Sequence, residues 1–494
     1  MSSDLSLNLS SQPSAEEAIY ALADGAAPDQ PWRWRLLAWL HLCLTRLLWL
    51  EPFWIAGLMP SLLARELFWD PWLHPWLIGA LFIFWPLRLL VQRQLAPYTP
   101  LNRPIWGLLL WLPIGIWAAV EPIRAWQHAG FLALGIALYM ALLNWPVTQR
   151  RPWLLAVAIG GCGLLLTVLG PELLLRVPTK FILFSDEVTR SQPLDLWQSG
   201  ETVNPNVLAG GLLLPIPLLV ALSIRTSWAR RRWLPPLLLL IAMPIVMVLI
   251  LVQSRGSYLA LAIALLAVLA LRWPWAGVAS AIALVTTTMI MVWEGALLFL
   301  EAFGSDGSIT SFSGRLEIWQ ATLLALRTHA LWGLGFGNFA LAVSAYLPGW
   351  RAGVPHAHNL LLQVAVDLGL PGLFLYSWLL YQACAVVVGI VRQDGYDVNQ
   401  PVATPRSVGQ PRPWHGSSQQ ARRAQIRERA QARRCASLRW ALAVGVGGGL
   451  LAMFIHGLVD AVVWGTKLAF LPWLFFALAA LLWRQPPWAR GNAA

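Results

Sequence analysis

Long apolar runs alternate with short polar segments along most of this chain. A hydrocarbon core about 30 Å thick needs about 20 apolar residues per helix. On that ruler about twelve transmembrane helices are predicted, near 47–64, 72–91, 104–121, 126–145, 152–170, 206–224, 233–252, 257–272, 275–299, 371–391, 439–463 and 467–484. Glu51, Pro52 and Pro60 interrupt the first of these, and residues 33–46 before it read as an amphipathic helix lying on the membrane surface. The predicted fold class is all-α, a polytopic integral membrane bundle.

Five parts follow from this pattern: a cytoplasmic N-terminal tail with its interfacial helix (1–46), N-terminal spans with a first outer loop (47–199), a central part (200–391) that includes a large outer loop at 300–357, a basic linker (392–438), and a C-terminal transmembrane pair with its tail (439–494). The linker is rich in Arg, Gln, Pro and Ser and poor in large apolar residues, which predicts disorder. Within the outer loop, Leu316, Trp319, Leu323 and Leu324 recur at helical spacing, so 315–327 is predicted to be an amphipathic helix on the outer membrane face. There is no internal repeat.

Composition rules out a soluble domain. Apolar residues make up 58% of the 494 positions and charged residues only 12%. Many of the 31 Trp sit near the ends of apolar runs, among them Trp106, Trp153, Trp233 and Trp473, where indole rings favour the headgroup region. The net charge of +12 is not a nucleic-acid signal, because the basic residues lie between apolar segments. Placing the N-terminus inside puts 25 of the 35 Lys and Arg in the inner segments, ten of them between Arg392 and Arg439. The positive-inside rule then predicts both termini in the cytoplasm. The first 30 residues are polar and acidic, without the apolar core of a cleavable signal peptide. Cys43, Cys162, Cys384 and Cys435 are scattered, with no metal spacing.

Polar groups at membrane depth are expensive, so those at the predicted outer side are the functional candidates. Arg255, in the turn Gln253-Ser-Arg-Gly-Ser257, is either an anion ligand at the bundle mouth or a snorkelling helix-end Arg. Arg315, at the start of the amphipathic outer helix, sits where free N–H groups and the helix dipole also favour an anion. Pro355-His-Ala-His-Asn359 leads into a short apolar helix ending at Gly369-Leu-Pro-Gly372, and Asn359, Gln363 and Asp367 make one polar stripe along it. His358 is a candidate general base, with His356 in a lesser role. No third ligand lies at a recognisable spacing from the two histidines, so no metal and no cofactor is predicted. His456 and Asp460, four apart, can pair along one helix face. Gly333-Leu-Gly-Phe-Gly337 imitates a dinucleotide fingerprint but follows no strand, and reads as a tight turn.

Asn204-Pro-Asn206, Ser254-Arg-Gly256, Ser313-Gly-Arg315, Gly333-Leu-Gly-Phe-Gly337, and above all His358-Asn359 followed after nine residues by Gly369-Leu-Pro-Gly372, resemble the O-antigen ligase and polymerase superfamily of bacterial membrane glycosyltransferases. The resemblance covers about 200–390, more loosely His456-Gly-Leu-Val-Asp460, and hardly the first 150 residues. It implies a C-type glycosyltransferase-like bundle in the bacterial inner membrane, with its active face and large loop periplasmic. It also implies metal-independent transfer of a glycan from a polyprenyl-diphosphate carrier to a saccharide acceptor: lipid A-core, a polysaccharide or a glycoprotein. Arg255 and Arg315 would then hold the diphosphate and His358 would take the acceptor proton, with Asn359, Gln363, Asp367, His456 and Asp460 in support. Other members of that superfamily are labelled inorganic-carbon transporters, so solute transport is the alternative. A transporter is expected to show related halves and broken helices meeting at midplane.

Overall fold

The computed structural model describes residues 32–63, 73–174, 205–224, 232–252, 254–273, 275, 277–279, 282, 312–343, 354–399 and 417–485. Among these every regular element is helical and there is no strand. In chain order they are α1 (Trp32–Leu47), a 3₁₀ turn (Leu48–Leu50), α2 (Glu51–Leu63), α3 (Leu73–Leu81), α4 (Phe84–Gln92), α5 (Asn102–Trp117) and α6 (Pro122–Asn144). Next come α7 (Pro146–Arg150), α8 (Trp153–Leu174), α9 (Pro205–Leu213), α10 (Pro215–Ser223), α11 (Leu234–Leu251) and α12 (Arg255–Arg272). The last five are α13 (Phe312–Thr328), α14 (Phe339–Val343), α15 (Leu360–Asn399), α16 (Ser417–Gly457) and α17 (Leu471–Arg484).

Eight helical stretches in the described residues are long and apolar enough to cross a membrane, so this is a multi-pass membrane protein. Shorter apolar helices at 153–169 and 471–484 match two more of the twelve predicted spans, and α5 occupies a third. Most of the span expected at 275–299 lies outside the described residues.

Two sequence expectations change. The surface helix expected at 33–46 does not stand apart: Leu47 and Glu51 both have helical dihedrals, and 32–63 forms one stretch. Pro52 follows the 3₁₀ turn, where the Glu51 N–H already bonds the Leu48 carbonyl that residue 52 would otherwise use, so its missing N–H is tolerated. Glu51 is buried there in an ion pair with Arg88 of α4. The second change is in the linker. Residues 417–438, predicted to be disordered, form the first half of α16. At its edge Arg439 is buried, pairing with Asp394 at 3.0 Å and donating to the Leu482 carbonyl at 3.0 Å.

The bundle has two hubs. One is α6, enclosed by α2, α3, α5 and α17; the other is the C-terminal half of α16, enclosed by α10, α12 and α15. In the apolar window of α6, 83% is buried, against 17% for the 32–63 stretch and for α11, which puts the latter two on the rim. Their exposed Trp32, Trp34, Trp39, Leu240 and Met243 suit a lipid boundary.

Helix directions sort the charges. Arg103 starts α5, while Arg150, Arg272 and Arg484 end α7, α12 and α17, all at one end of the bundle. The starts of α9, α12 and α15 and the end of α16 meet at the opposite end, where Asn206, Gly256, Asn359 and Asp460 pack together.

α15 breaks at Gly369 (φ 70°, ψ −176°), as the Gly-Leu-Pro-Gly stop signal predicts. The freed backbone groups do not face a pore. Leu370 N–H bonds the Ala330 carbonyl at 2.8 Å, and Leu334 N–H bonds the Val366 carbonyl at 2.6 Å, so the glycine-rich loop docks into the break. Gly333 is left-handed as well (φ 74°), as a tight turn at a glycine allows. An added Cβ at Gly369 would lie 2.2 Å from the Leu331 carbonyl oxygen. Gly369→Ala is therefore expected to destabilise the protein by about 2 kcal/mol or more, because strain and a backbone clash add. Thermal melting in detergent checks this, with Gly57→Ala as the control, since nothing lies within 4 Å of a Cβ there.

Candidate active site

The site is assembled from four segments: the His loop before α15, the loop after α16, the start of α9 and the start of α13. Its centre is Asp460, 1% exposed. One carboxylate oxygen, Oδ1, accepts from His356 Nε2 at 2.9 Å and from the Ala461 N–H at 2.8 Å. His358 Nδ1 lies 3.4 Å from the same oxygen. The other oxygen accepts from Asn206 Nδ2 at 2.8 Å. The two imidazoles lie close together and tilted, with centroids 4.1 Å apart and ring planes at 43°.

These contacts revise the expected His456–Asp460 pair. α16 ends at Gly457, so Asp460 is past the helix and turns toward the His loop. What links the two residues is a backbone bond from Asp460 N–H to the His456 carbonyl at 2.9 Å. His456 is buried beside Gly256, where an added Cβ would lie 3.4 Å from its Cδ2. That contact brings the start of α12 to the site. Arg255, the first residue of α12, is exposed there, and Ser254 precedes it in extended conformation.

His358 has an unusual backbone, with φ +48°. A left-handed conformation costs a non-glycine residue about 1–2 kcal/mol, so neighbouring contacts must hold it. Asn359 caps α15, accepting from the Leu362 N–H at 3.0 Å, and its own Nδ2 donates to the Leu458 carbonyl at 2.9 Å. Ala357 is gripped on both sides: its N–H donates to Gln363 Oε1 at 2.8 Å, and its carbonyl accepts from Trp319 Nε1 at 3.0 Å. The predicted stripe of Asn359, Gln363 and Asp367 is therefore present, but Gln363 and Asp367 face the protein interior, 5% and 1% exposed.

Burial and charge set the protonation states. Burial pushes His358 below its usual value, and neighbouring His356 and Arg315 add to this, while Asp460 opposes it. Burial alone would raise Asp460, yet contacts from the two histidines outweigh it and hold the carboxyl well below its usual range. At neutral pH the centre is thus an ionised carboxylate beside a neutral His358. Arg315, half-buried in the first turn of α13, is lowered by burial and stabilised by Asp460. Its Nε is buried and has no hydrogen-bond partner among the described residues.

The structure thus supplies the carboxylate that spacing along the chain did not reveal. The ligand atoms of His356, His358 and Asp460 all lie within 4.8 Å of one another, a set able to hold a divalent cation. The Arg315 charge acting on the same groups works against a second cation there.

Sequence reasoning undervalued His356, which makes the closer contact with Asp460, and it left Asn206 out of the site. The Asn204-Pro-Asn206 motif was the signal available for the latter. Trp319 showed in the sequence only through its helical spacing, which does not reveal its bond to the His loop.

Residues 237–377, just over a quarter of the chain, match the sequence model of a family described as O-antigen ligase. That stretch contains Arg255, Arg315, His356 and His358, and stops short of Asp460. No curated protein matches the chain.

Proposed function

We propose that this protein is a membrane glycosyltransferase that moves a glycan from a polyprenyl-diphosphate carrier to a hydroxyl of a saccharide acceptor. The O-antigen ligase match supports a membrane glycan ligase or polymerase role. One observation carries the finer reading: a half-buried arginine whose Nε–H has no partner among the described residues acts electrostatically on a neutral, buried histidine whose ring lies beside a carboxylate. An unpaired buried donor is costly unless a ligand fills it. A diphosphate oxygen fits the guanidinium in both charge and geometry.

In the reaction, His358 accepts the acceptor hydroxyl proton as the new glycosidic C–O bond forms. The bond from the anomeric carbon to the diphosphate oxygen breaks, and its electron pair leaves with the polyprenyl diphosphate. Arg315 stabilises that departing charge, and Arg255, at the N-terminus of α12 where the dipole also favours an anion, supports it. Because diphosphate is a ready leaving group, the step proceeds without a metal. Asp460 and His356 fix the histidine ring. The proposed setting is the bacterial inner membrane, with both termini cytoplasmic, the site and the large 300–357 loop periplasmic, and about twelve spans in a C-type glycosyltransferase-like bundle. The Arg-rich ends of the helices, opposite the site, support that orientation. Lipid A-core, a polysaccharide and a glycoprotein are the acceptor classes.

Solute transport is less well supported. The break in α15 is sealed by the docked glycine loop, and the polar cluster gathers at one end of the helices.

The test is transfer by the purified protein in nanodiscs, using defined polyprenyl-diphosphate glycans and a panel of acceptors. Transfer that persists in EDTA is expected. Transfer lost to EDTA and restored by Zn²⁺ or Mg²⁺ would assign His356, His358 and Asp460 to a metal. Solute flux without any transfer would move the protein to the transporter class.

A further inference from the structure

Asp367 lies away from the reacting groups, yet it is buried and bonded on both of its oxygens. Its Oδ1 accepts from Gln363 Nε2 at 3.1 Å and from the Gly337 N–H at 3.3 Å. Its Oδ2 accepts from Trp464 Nε1 at 2.8 Å. Three pieces of chain therefore converge on one carboxylate: the first part of α15, the glycine-rich loop, and the loop that follows α16.

Two of these contacts lead back to the proposed site. Gln363, one turn before Asp367, uses its carbonyl to hold the Ala357 N–H, and Ala357 lies between His356 and His358. The amide of Gln363 is thus oriented from both ends, its Nε2 fixed by Asp367 and its Oε1 by Ala357. Trp464 sits four residues after Asp460 in the same loop and stacks against Phe336 of the glycine-rich loop, with centroids 6.5 Å apart. A displaced Trp464 would carry the Asp460 segment with it. The left-handed backbone of His358 gives this arrangement something to hold, since that conformation is unfavourable for histidine alone.

We propose that Asp367 is a positioning residue, acting on His358 through Gln363 and Ala357 and on Asp460 through Trp464, without touching substrate. This deepens the glycosyl-transfer reading and rests on it. A shift of about 1 Å at a reacting group can cost about 10²-fold in rate even when its cause is remote.

Asparagine at this position keeps the shape but presents an NH₂ group to one set of donors. Asp367→Asn is expected to lower turnover per folded molecule by about 10²-fold with donor KM unchanged. Adding Gln363→Glu restores the complementary pair, because the introduced asparagine can donate to the new carboxylate and accept from Trp464, while Ala357 still finds an acceptor. The double variant is expected to recover at least about tenfold of the loss, a coupling that two independent lesions would not show. A merely structural role would lower the melting temperature and the yield but leave turnover per folded molecule intact.

Hydrogen exchange gives a readout independent of activity. Faster exchange at the Gly337 and Ala357 amides is expected in Asp367→Asn, with recovery at Ala357 in the double variant. Unchanged exchange at both amides overturns the proposal. So does wild-type turnover per folded molecule in Asp367→Asn while His358→Ala is inactive. If His358→Ala is itself fully active, His358 is not the base, and exchange alone decides whether Asp367 holds these loops.

Discussion

His358→Ala is expected to lower turnover by about 10²–10⁴-fold while donor binding stays near wild type, the usual contribution of a positioned base. Three arguments converge on this residue. Its ring lies 3.4 Å from a carboxylate that stays ionised, it is neutral at physiological pH because it is buried, and its backbone is held in a strained conformation. The pH profile gives a sharper test than the rate alone. The unprotonated ring is the active form, so activity should fall as pH drops through a pKa below the ordinary value of about 6.5. The neighbours of His358 then shift this acid limb in opposite directions. Asp460 raises the His358 pKa, so Asp460→Asn should move the limb to still lower pH. His356 lowers it, so His356→Ala should move the limb upward. Rates measured from pH 5 to 8 for the wild type and these variants decide the matter. Wild-type turnover in His358→Ala removes it as the base, and a limb that stays fixed in both neighbours' variants removes the coupling.

How much of this was readable beforehand depends on whether a feature is local. Span positions follow from apolar run length, which needs no tertiary information, so eleven of the twelve predicted spans have helical counterparts in the described residues. The break at Gly369 was legible because Gly-Leu-Pro-Gly stops a helix locally. The polar stripe was legible as a period, yet period alone gives no facing direction; Gln363 and Asp367 point inward because the glycine loop and Trp464 supply donors there. Asp460 shows the limit most clearly. Four-residue spacing from His456 suggests a helical pair, but the helix ends at Gly457 and the carboxylate finds His356, 104 positions earlier in the chain. The linker was misjudged for a related reason. Its composition resembles a disordered segment, whereas residues 417–438 continue a helix already anchored by the bundle. Buried pairs such as Glu51–Arg88 and Arg439–Asp394 likewise need a partner that only the fold supplies.

Arg315 is expected to be nearly as sensitive as His358, and in a way that separates charge from geometry. Arg315→Ala should lower turnover by about 10²–10³-fold, the size of effect seen when one fixed donor to a developing negative charge is removed. Lysine at the same position restores a positive charge but not the planar fork, so it should recover only part of that loss. The Nε without a partner among the described residues gives the reason: on the proposed reading, such a donor would contribute through direction as well as charge. Arg255 provides a contrast because it is exposed at the start of α12. Its contribution should weaken as salt rises, since exposed charges are screened over about 8 Å at physiological ionic strength. Arg315 is half-buried, so its contribution should be much less salt-sensitive. Donor KM and turnover for the Ala and Lys variants at both positions, measured at low and high salt, test all of this together. If lysine at both positions supports full turnover, paired-donor recognition of a diphosphate is the wrong account. Equal salt sensitivity at the two positions would instead mean that Arg315 acts from solvent rather than from within the site.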